Sequence, residues 1–144
     1  MPRLRATPVA STATSFGVVR PAKGTSIQIR VVTMTIFGRS DSSNVVSYSS
    51  AVTAPSAPAS ARVSFNADGA PFFSWSAPVD NGGSAITGYL VEVGVVNYGS
   101  TTLTWSAPVT VAGNVLSYTG VRAAPGATQS FRVTAVNANG NSPV

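Results

Sequence analysis

Residues 72–93 read Phe72-Phe73-Ser74-Trp75-Ser76-Ala77-Pro78-Val79-Asp80-Asn81-Gly82-Gly83-Ser84-Ala85-Ile86-Thr87-Gly88-Tyr89-Leu90-Val91-Glu92-Val93. The stretch is an aromatic-rich strand, a turn built on Pro and Gly-Gly, and a second alternating strand. Pro78 has no N–H to give a ladder, and the two glycines accept the positive φ that a tight reversal needs. Side chains alternate along a strand, so Phe73 and Trp75 share one face of the first, and Tyr89, Val91 and Val93 one face of the second. Two such faces are what the inside of a β-sandwich requires.

Outward from this hairpin the same character continues. Short alternating or apolar runs at 16–19, 27–37, 45–48, 61–65, 88–96, 101–105, 115–121 and 130–136 are separated by turn clusters such as 38–44 and 66–69. No segment has a helical period with caps. Many short strands at close spacing predict an all-β sandwich or barrel. Ala54-Pro55-Ser56-Ala57-Pro58 is the best boundary in the chain.

The composition fits. Apolar residues make up 44% of the 144, enough for a core, while charged residues are only 9%, far below the ~25% of an average soluble domain. Hydroxyl side chains stand where charges usually do. Six of the nine basic residues fall in residues 1–53 against one acid, and 54–144 balances three against three. The basic residues are scattered singly with no interleaved aromatic platform, so no nucleic-acid partner is expected. With no cysteine and no histidine, thiol nucleophiles, histidine triads and disulfides are excluded. The apolar runs are too short for membrane insertion. The basic start Met1-Pro2-Arg3-Leu4-Arg5 is followed by a stretch broken by Thr7, Pro8, Ser11, Thr12 and Thr14, which makes no convincing signal peptide.

An internal repeat sets the organisation. A shift of 102 residues places Ser15, Val19, Arg20, Ala22, Gly24, Arg30, Val31, Gly38 and Ser40 on Ser117, Val121, Arg122, Ala124, Gly126, Arg132, Val133, Gly140 and Ser142. These are nine identities in 28 aligned positions. The chain is therefore expected to hold the last part of one module in 1–53 and most of a second in 54–144.

The second module resembles a fibronectin type III domain. The resemblance rests on Pro55-Ser56-Ala57-Pro58, Trp75 followed by Pro78, Asp80-Asn81-Gly82-Gly83, Ile86-Thr87-Gly88-Tyr89, Pro125-Gly126 and Phe131-Arg132-Val133-Thr134-Ala135-Val136-Asn137, then Gly140 and Ser142. It implies a seven-stranded, immunoglobulin-like sandwich with Trp75 and Tyr89 between the sheets. Expected core residues are Phe73, Trp75, Tyr89, Val91, Phe131 and Val133. There are two departures from the family pattern. The tyrosine that usually follows the Pro-Gly corner is Gln129 here, and Ile27 in the first module. The second module is also expected to lack its last strand, as the first lacks its opening ones.

No chemistry is expected. The four acids are Asp41 and Asp68 in turns, Asp80 in the Asn-Gly-Gly turn, and Glu92 on the solvent side of a strand. No catalytic residues, cofactor or metal site are assigned. Tyr98 and Trp105, flanking Gly99-Ser100, are the candidate ligand contacts, since an aromatic pair can stack on sugar rings. The second Trp-Ser-Ala-Pro string, residues 105–108, repeats the letters of 75–78 and is read as coincidence.

The leading reading is a non-catalytic spacer or interaction segment of a secreted, cell-surface or phage-structural protein, its neighbours being other modules of the same chain. Low charge, absent cysteine and a Ser/Thr/Ala-rich surface resemble bacterial and phage copies. One alternative is a self-assembling subunit in which the strand near 45–48 is donated between subunits. Another is the carbohydrate-binding accessory domain of an extracellular polysaccharide-degrading enzyme. Burying a Trp contributes on the order of 3–5 kcal/mol, comparable with the whole stability of a small domain. Trp75→Ala is therefore expected to abolish the cooperative urea transition seen by tryptophan fluorescence or circular dichroism.

Overall fold

The computed structural model describes residues 6–144, so the basic pentapeptide with Arg3 and Arg5 lies outside the described residues. The described chain is all β and every strand pairing in it is antiparallel. Its first part carries β1 (Ser26–Ile29), β2 (Met34–Thr35), β3 (Gly38–Arg39) and β4 (Val46–Ser49). The second carries β5 (Ala59–Phe65), β6 (Pro71–Ser76), β7 (Ile86–Val96), β8 (Thr104–Trp105), β9 (Val109–Ala112), β10 (Ser117–Thr119), β11 (Thr128–Asn137) and β12 (Gly140–Asn141).

β5, β6 and β10 form one sheet in the order β10-β6-β5. The other runs β12-β11-β7, with β8 and β9 both on the far side of β7. The inward residues meet as a buried cluster of Phe73, Trp75, Tyr89, Val91, Val133 and Ala135, with Phe131 half-buried against it. The rings interlock across the gap. Phe73 stacks on Phe131 at 4.5 Å between centroids, and Trp75 meets Tyr89 edge-on at 5.4 Å. Such offset and edge-on contacts add to what burial alone supplies. The Tyr89 hydroxyl is enclosed by this packing, and burial pushes its pKa above the ordinary 10.

Strand limits differ from the sequence expectation where irregular pairing intervenes. Residues 16–19 carry no strand, and the run 27–37 divides into β1 and β2. The expected strands at 101–105 and 115–121 shorten to β8 and β10, and β9 is an addition. The two Trp-Ser-Ala-Pro strings each follow the same course, an indole at the end of a strand and then a proline that leaves the ladder. Around the second string the register on β7 slips by one residue between Gly94↔Trp105 and Val91↔Val109, a β-bulge.

A single side-chain device handles this break and three others. Ser106 donates its N–H to Val93 O at 2.9 Å, while its hydroxyl accepts the Val93 N–H at 3.1 Å and donates to Ala107 O. Ser142 does the same with Ala135 and Pro143, Ser40 with Thr33 and Asp41, and Ser43 with Val31 and Asn44. At each site the hydroxyl takes the place of a carbonyl that has left the ladder. No partner N–H is stranded, which would be costly in buried backbone.

The repeat recurs in the geometry. β2 pairs β3 as Met34↔Arg39 and Thr35↔Gly38, and β11 pairs β12 as Val136↔Asn141 and Asn137↔Gly140, the same register 102 residues on. Gly38 and Gly140 share a φ of 133°. At the Pro-Gly corner, where the family's tyrosine is missing, the Gln129 amide donates to Val121 O at 3.0 Å. The tie is kept by a different side chain.

Ser142 and Ala135 are both buried, so Ser142→Ala leaves the Ala135 N–H with no acceptor. An unsatisfied buried donor costs about 1–3 kcal/mol. The urea midpoint is expected to fall accordingly, whereas Ser106→Ala on the wetter rim falls less.

Candidate functional site

The two aromatic candidates occupy separate places. Tyr98 is 85% exposed beyond the end of β7 and lies beside Gly126. Trp105 sits opposite Gly94 on β7, and a Cβ at Gly94 would come within 3.1–3.2 Å of the indole carbons. The missing side chain lets the ring lie down on the sheet. The Arg132 guanidinium stands over that ring, 4.3 Å from its centroid, a cation–π contact. It also binds Glu92 through two 2.8 Å hydrogen bonds. Glu92 is thus paired rather than free in solvent. The Arg132 hydrogen bonds hold its carboxyl below the ordinary 4.5 and raise the arginine in turn. Three aromatic pairs stack or meet edge-on among the described residues, and neither Tyr98 nor Trp105 belongs to one.

A second cluster was not legible as a site. The turn Asp80-Asn81-Gly82-Gly83 folds on itself, with the Gly82 N–H on Asp80 Oδ1 at 2.8 Å and the Gly83 N–H on Asn81 Oδ1 at 2.9 Å. These are the bonds Asp and Asn make in such turns. The outer side of the turn receives the first part of the chain. Thr53 donates its N–H to Gly82 O at 2.9 Å, and Lys23 Nζ reaches Asp80 Oδ2 at 2.5 Å and Thr53 Oγ1 at 2.9 Å. Buried Asn137, at the end of β11, sends Nδ2 to both Thr53 O and Asn81 O, while its Oδ1 accepts the Asn139 N–H.

Gly82 makes this contact sterically feasible. Its φ is +75°, and a Cβ there would stand 2.0 Å from Thr53 O. Gly83, φ +81°, would meet Lys23 Cβ at 2.6 Å. The glycines therefore serve close approach as well as the turn. The sequence names this turn, but nothing local to Lys23, Thr53 or Asn137 announces that they converge on it. The three lie 30 and 84 residues apart along the chain.

Asp80 and Glu92 are each engaged by a cation. Among the described residues no three His, Cys, Asp or Glu side chains gather as metal ligands, and no helix is long and apolar enough to cross a membrane. What the fold defines is an immunoglobulin-like β-sandwich with its inter-sheet aromatics in place. The chain belongs to the fibronectin type III domain family, whose model matches residues 56–144. Members of this family are structural and binding modules, generally without catalytic activity.

Two solved structures share the fold. Titin kinase with its flanking domains is 29% identical over 63% of this chain and 16% of its own, with a TM-score of 0.51. A run of titin domains is 26% identical over 81% of this chain and 37% of its own, with a TM-score of 0.53. The chicken CNTN1 FN1-FN3 domains are a more distant match, 20% identical over 85% and 40% respectively, with a TM-score of 0.48. The chain spans well under half the length of each.

The Lys23–Asp80 pair gives the junction a pH dependence. The Lys23 hydrogen bond, helped by the Gly82 N–H, holds the Asp80 carboxyl below its ordinary 3.8. A depressed folded-state pKa means the contribution is present above the unfolded value and lost as pH falls through the folded one. Amide exchange at Thr53 and Gly82 is expected to quicken, relative to the β7–β11 core, only below about pH 4. The carboxyl is exposed, so in 1 M salt the effect shrinks.

Proposed function

We propose that the chain is a non-catalytic spacer and interaction segment in which the C-terminal part of one fibronectin type III-like module, 1–53, is held at a set angle to most of a second, 54–144. The observation that carries this reading is the junction. Lys23 and Thr53 from one side meet Asp80, Gly82, Gly83 and Asn137 from the other through charge, backbone pairing and a buried amide. A flexible tether needs none of these contacts, whereas a spacer that transmits orientation needs them all.

The tandem arrangement is supported by the repeated hairpin register and by Ser40 and Ser142, which make equivalent bonds. The non-catalytic reading rests on membership of a family whose modules are generally non-catalytic. We place the segment in a secreted, cell-surface or phage-structural protein on its low charge, lack of cysteine and hydroxyl-rich surface. Tyr98 and the Trp105–Arg132–Glu92 stack are its proposed contacts for a protein or carbohydrate partner.

Small-angle scattering tests the rigid junction. The unchanged chain is expected to fit a single conformer. Asn137→Ala and Gly82→Ala, which open the junction, are expected to give broader distance distributions at unchanged far-UV circular dichroism. An unchanged chain that fits only an ensemble of conformers would refute the set angle, and superimposable profiles from all three proteins would refute the part of Asn137 and Gly82 in holding it.

A further inference from the structure

We propose that Asn139 is a spontaneous modification site, its side-chain amide displaced by the Gly140 nitrogen, and that the product loosens the junction shielding the matching Asn81–Gly82 pair. The proposal goes beyond the spacer reading and does not depend on it, because it uses the bonds around the turn and not the angle between modules.

The chain reads Asn-Gly at two places, 81–82 and 139–140. Asparagine is among the thermolabile residues, and a following glycine, with no Cβ, leaves its own nitrogen open to approach. That nitrogen, once it has given up its proton, attacks the asparagine Cγ. A C–N bond forms, the Cγ–Nδ2 bond breaks, and the amide nitrogen leaves as ammonia, taking up a proton in place of the one the glycine gave. Solvent water then opens the cyclic imide at either carbonyl, leaving aspartate or isoaspartate. The step needs the Cγ and the nitrogen in a near-attack arrangement, so the fold around each pair decides its rate.

At 139 the fold leaves the pair open. Asn139 is exposed at the tip between β11 and β12, outside the Asn137↔Gly140 pairing. Its N–H binds Asn137 Oδ1 at 2.8 Å, but among the described residues nothing holds its side-chain amide. A Cβ built on Gly140 would find Ala54 Cβ 3.7 Å away and nothing nearer, so the peptide has room to turn.

At 81 the same pair is clamped. The Gly82 N–H lies on Asp80 Oδ1 at 2.8 Å, and the Asn81 Oδ1 that would have to swing round accepts the Gly83 N–H at 2.9 Å. Asn81 O accepts Asn137 Nδ2, and Gly82 O accepts the Thr53 N–H. Gly82 is buried, and a Cβ there would stand 2.8 Å from Ala54 O and 2.9 Å from Asn137 Nδ2. Taking the proton from the Gly82 nitrogen would set a second negative charge against the Asp80 carboxylate, which opposes the first step. The two sites are linked through Asn137. Its Oδ1 is fixed by the Asn139 N–H, and its Nδ2 by Thr53 O and Asn81 O. Isoaspartate at 139 threads the main chain through its Cβ, lengthening the turn and shifting that N–H. The Asn137 amide then loses its orientation, and the clamp on 81 weakens.

The full-length chain is aged in mildly alkaline buffer, and peptides covering each pair are assayed for the amide-to-acid mass change and for labelling by an isoaspartate-specific methyltransferase. Asn139 is expected to convert at least about tenfold faster than Asn81, a factor within reach of an opening penalty shared among several hydrogen bonds. In urea the two pairs are expected to convert at like rates, since only the local sequence then acts. Asp80→Ala is expected to speed Asn81 severalfold at unchanged circular dichroism. Amide exchange at Thr53 and Gly82 is expected to quicken in the aged chain but not in aged Asn139→Gln, whose longer side chain cyclises far more slowly. Asn81 converting as fast as Asn139 in the folded chain, or an Asn139 that reacts in urea but not when folded, overturns the proposal. A difference that persists in urea, or an Asp80→Ala chain whose Asn81 is as slow as before, overturns the shielding. Unchanged exchange at Thr53 and Gly82 after Asn139 has converted overturns the link to the junction.

Discussion

Two ring contacts across the gap between the sheets set the positions of nearly every other element in this molecule. Phe73 on Phe131 and Trp75 against Tyr89 bring residues of distant strands into one buried layer. Neither sheet can bury its inward face without the other. Once the layer forms, β6 and β7 are opposed, β11 is aligned on β7 over ten residues, and the turn between β6 and β7 is carried to the end of the sandwich. The junction residues meet because that turn is there.

Closing such a layer with short strands raises a problem of hydrogen bonding. Every strand that bends away strands an N–H on its neighbour. Ser40, Ser43, Ser106 and Ser142 answer it in the same manner, each hydroxyl accepting the orphaned N–H and donating its own O–H to the next carbonyl. Part of the hydroxyl-rich composition is therefore structural. Serine suits the task because its side chain is short enough to stand where a carbonyl oxygen stood.

The sparse charges have equally definite places. Of the four acids, one closes the junction with Lys23 and one braces the Trp105 face through Arg132. Both pairs are at least partly open to water, so each orients its neighbours more than it stabilises the whole. The first part of the chain is different. Its ribbon presents apolar side chains such as Phe37, 93% exposed, and Val46, with no second layer among the described residues to cover them. That imbalance sets a well-packed sandwich beside a ribbon whose apolar side chains stand in water.

The alternation around Phe73, Trp75, Tyr89 and Val91 determined the sandwich, because a period of two places side chains on one face whatever the surroundings. The family followed from turn and corner residues at fixed offsets, and the 102-residue repeat from simple identity of letters. Three features were settled only by tertiary structure. Lys23, Thr53 and Asn137 converge because of where β11 ends and the linker passes, which no local pattern encodes. Trp105 lies flat because Gly94, eleven residues earlier in the chain, is brought opposite it by strand register. The serine breaks depend on which partner N–H would otherwise be orphaned, and a ladder exists only after two distant strands have met. Periodicity is a property of the chain, but complementarity belongs to pairs of segments, and only folding decides which pairs form.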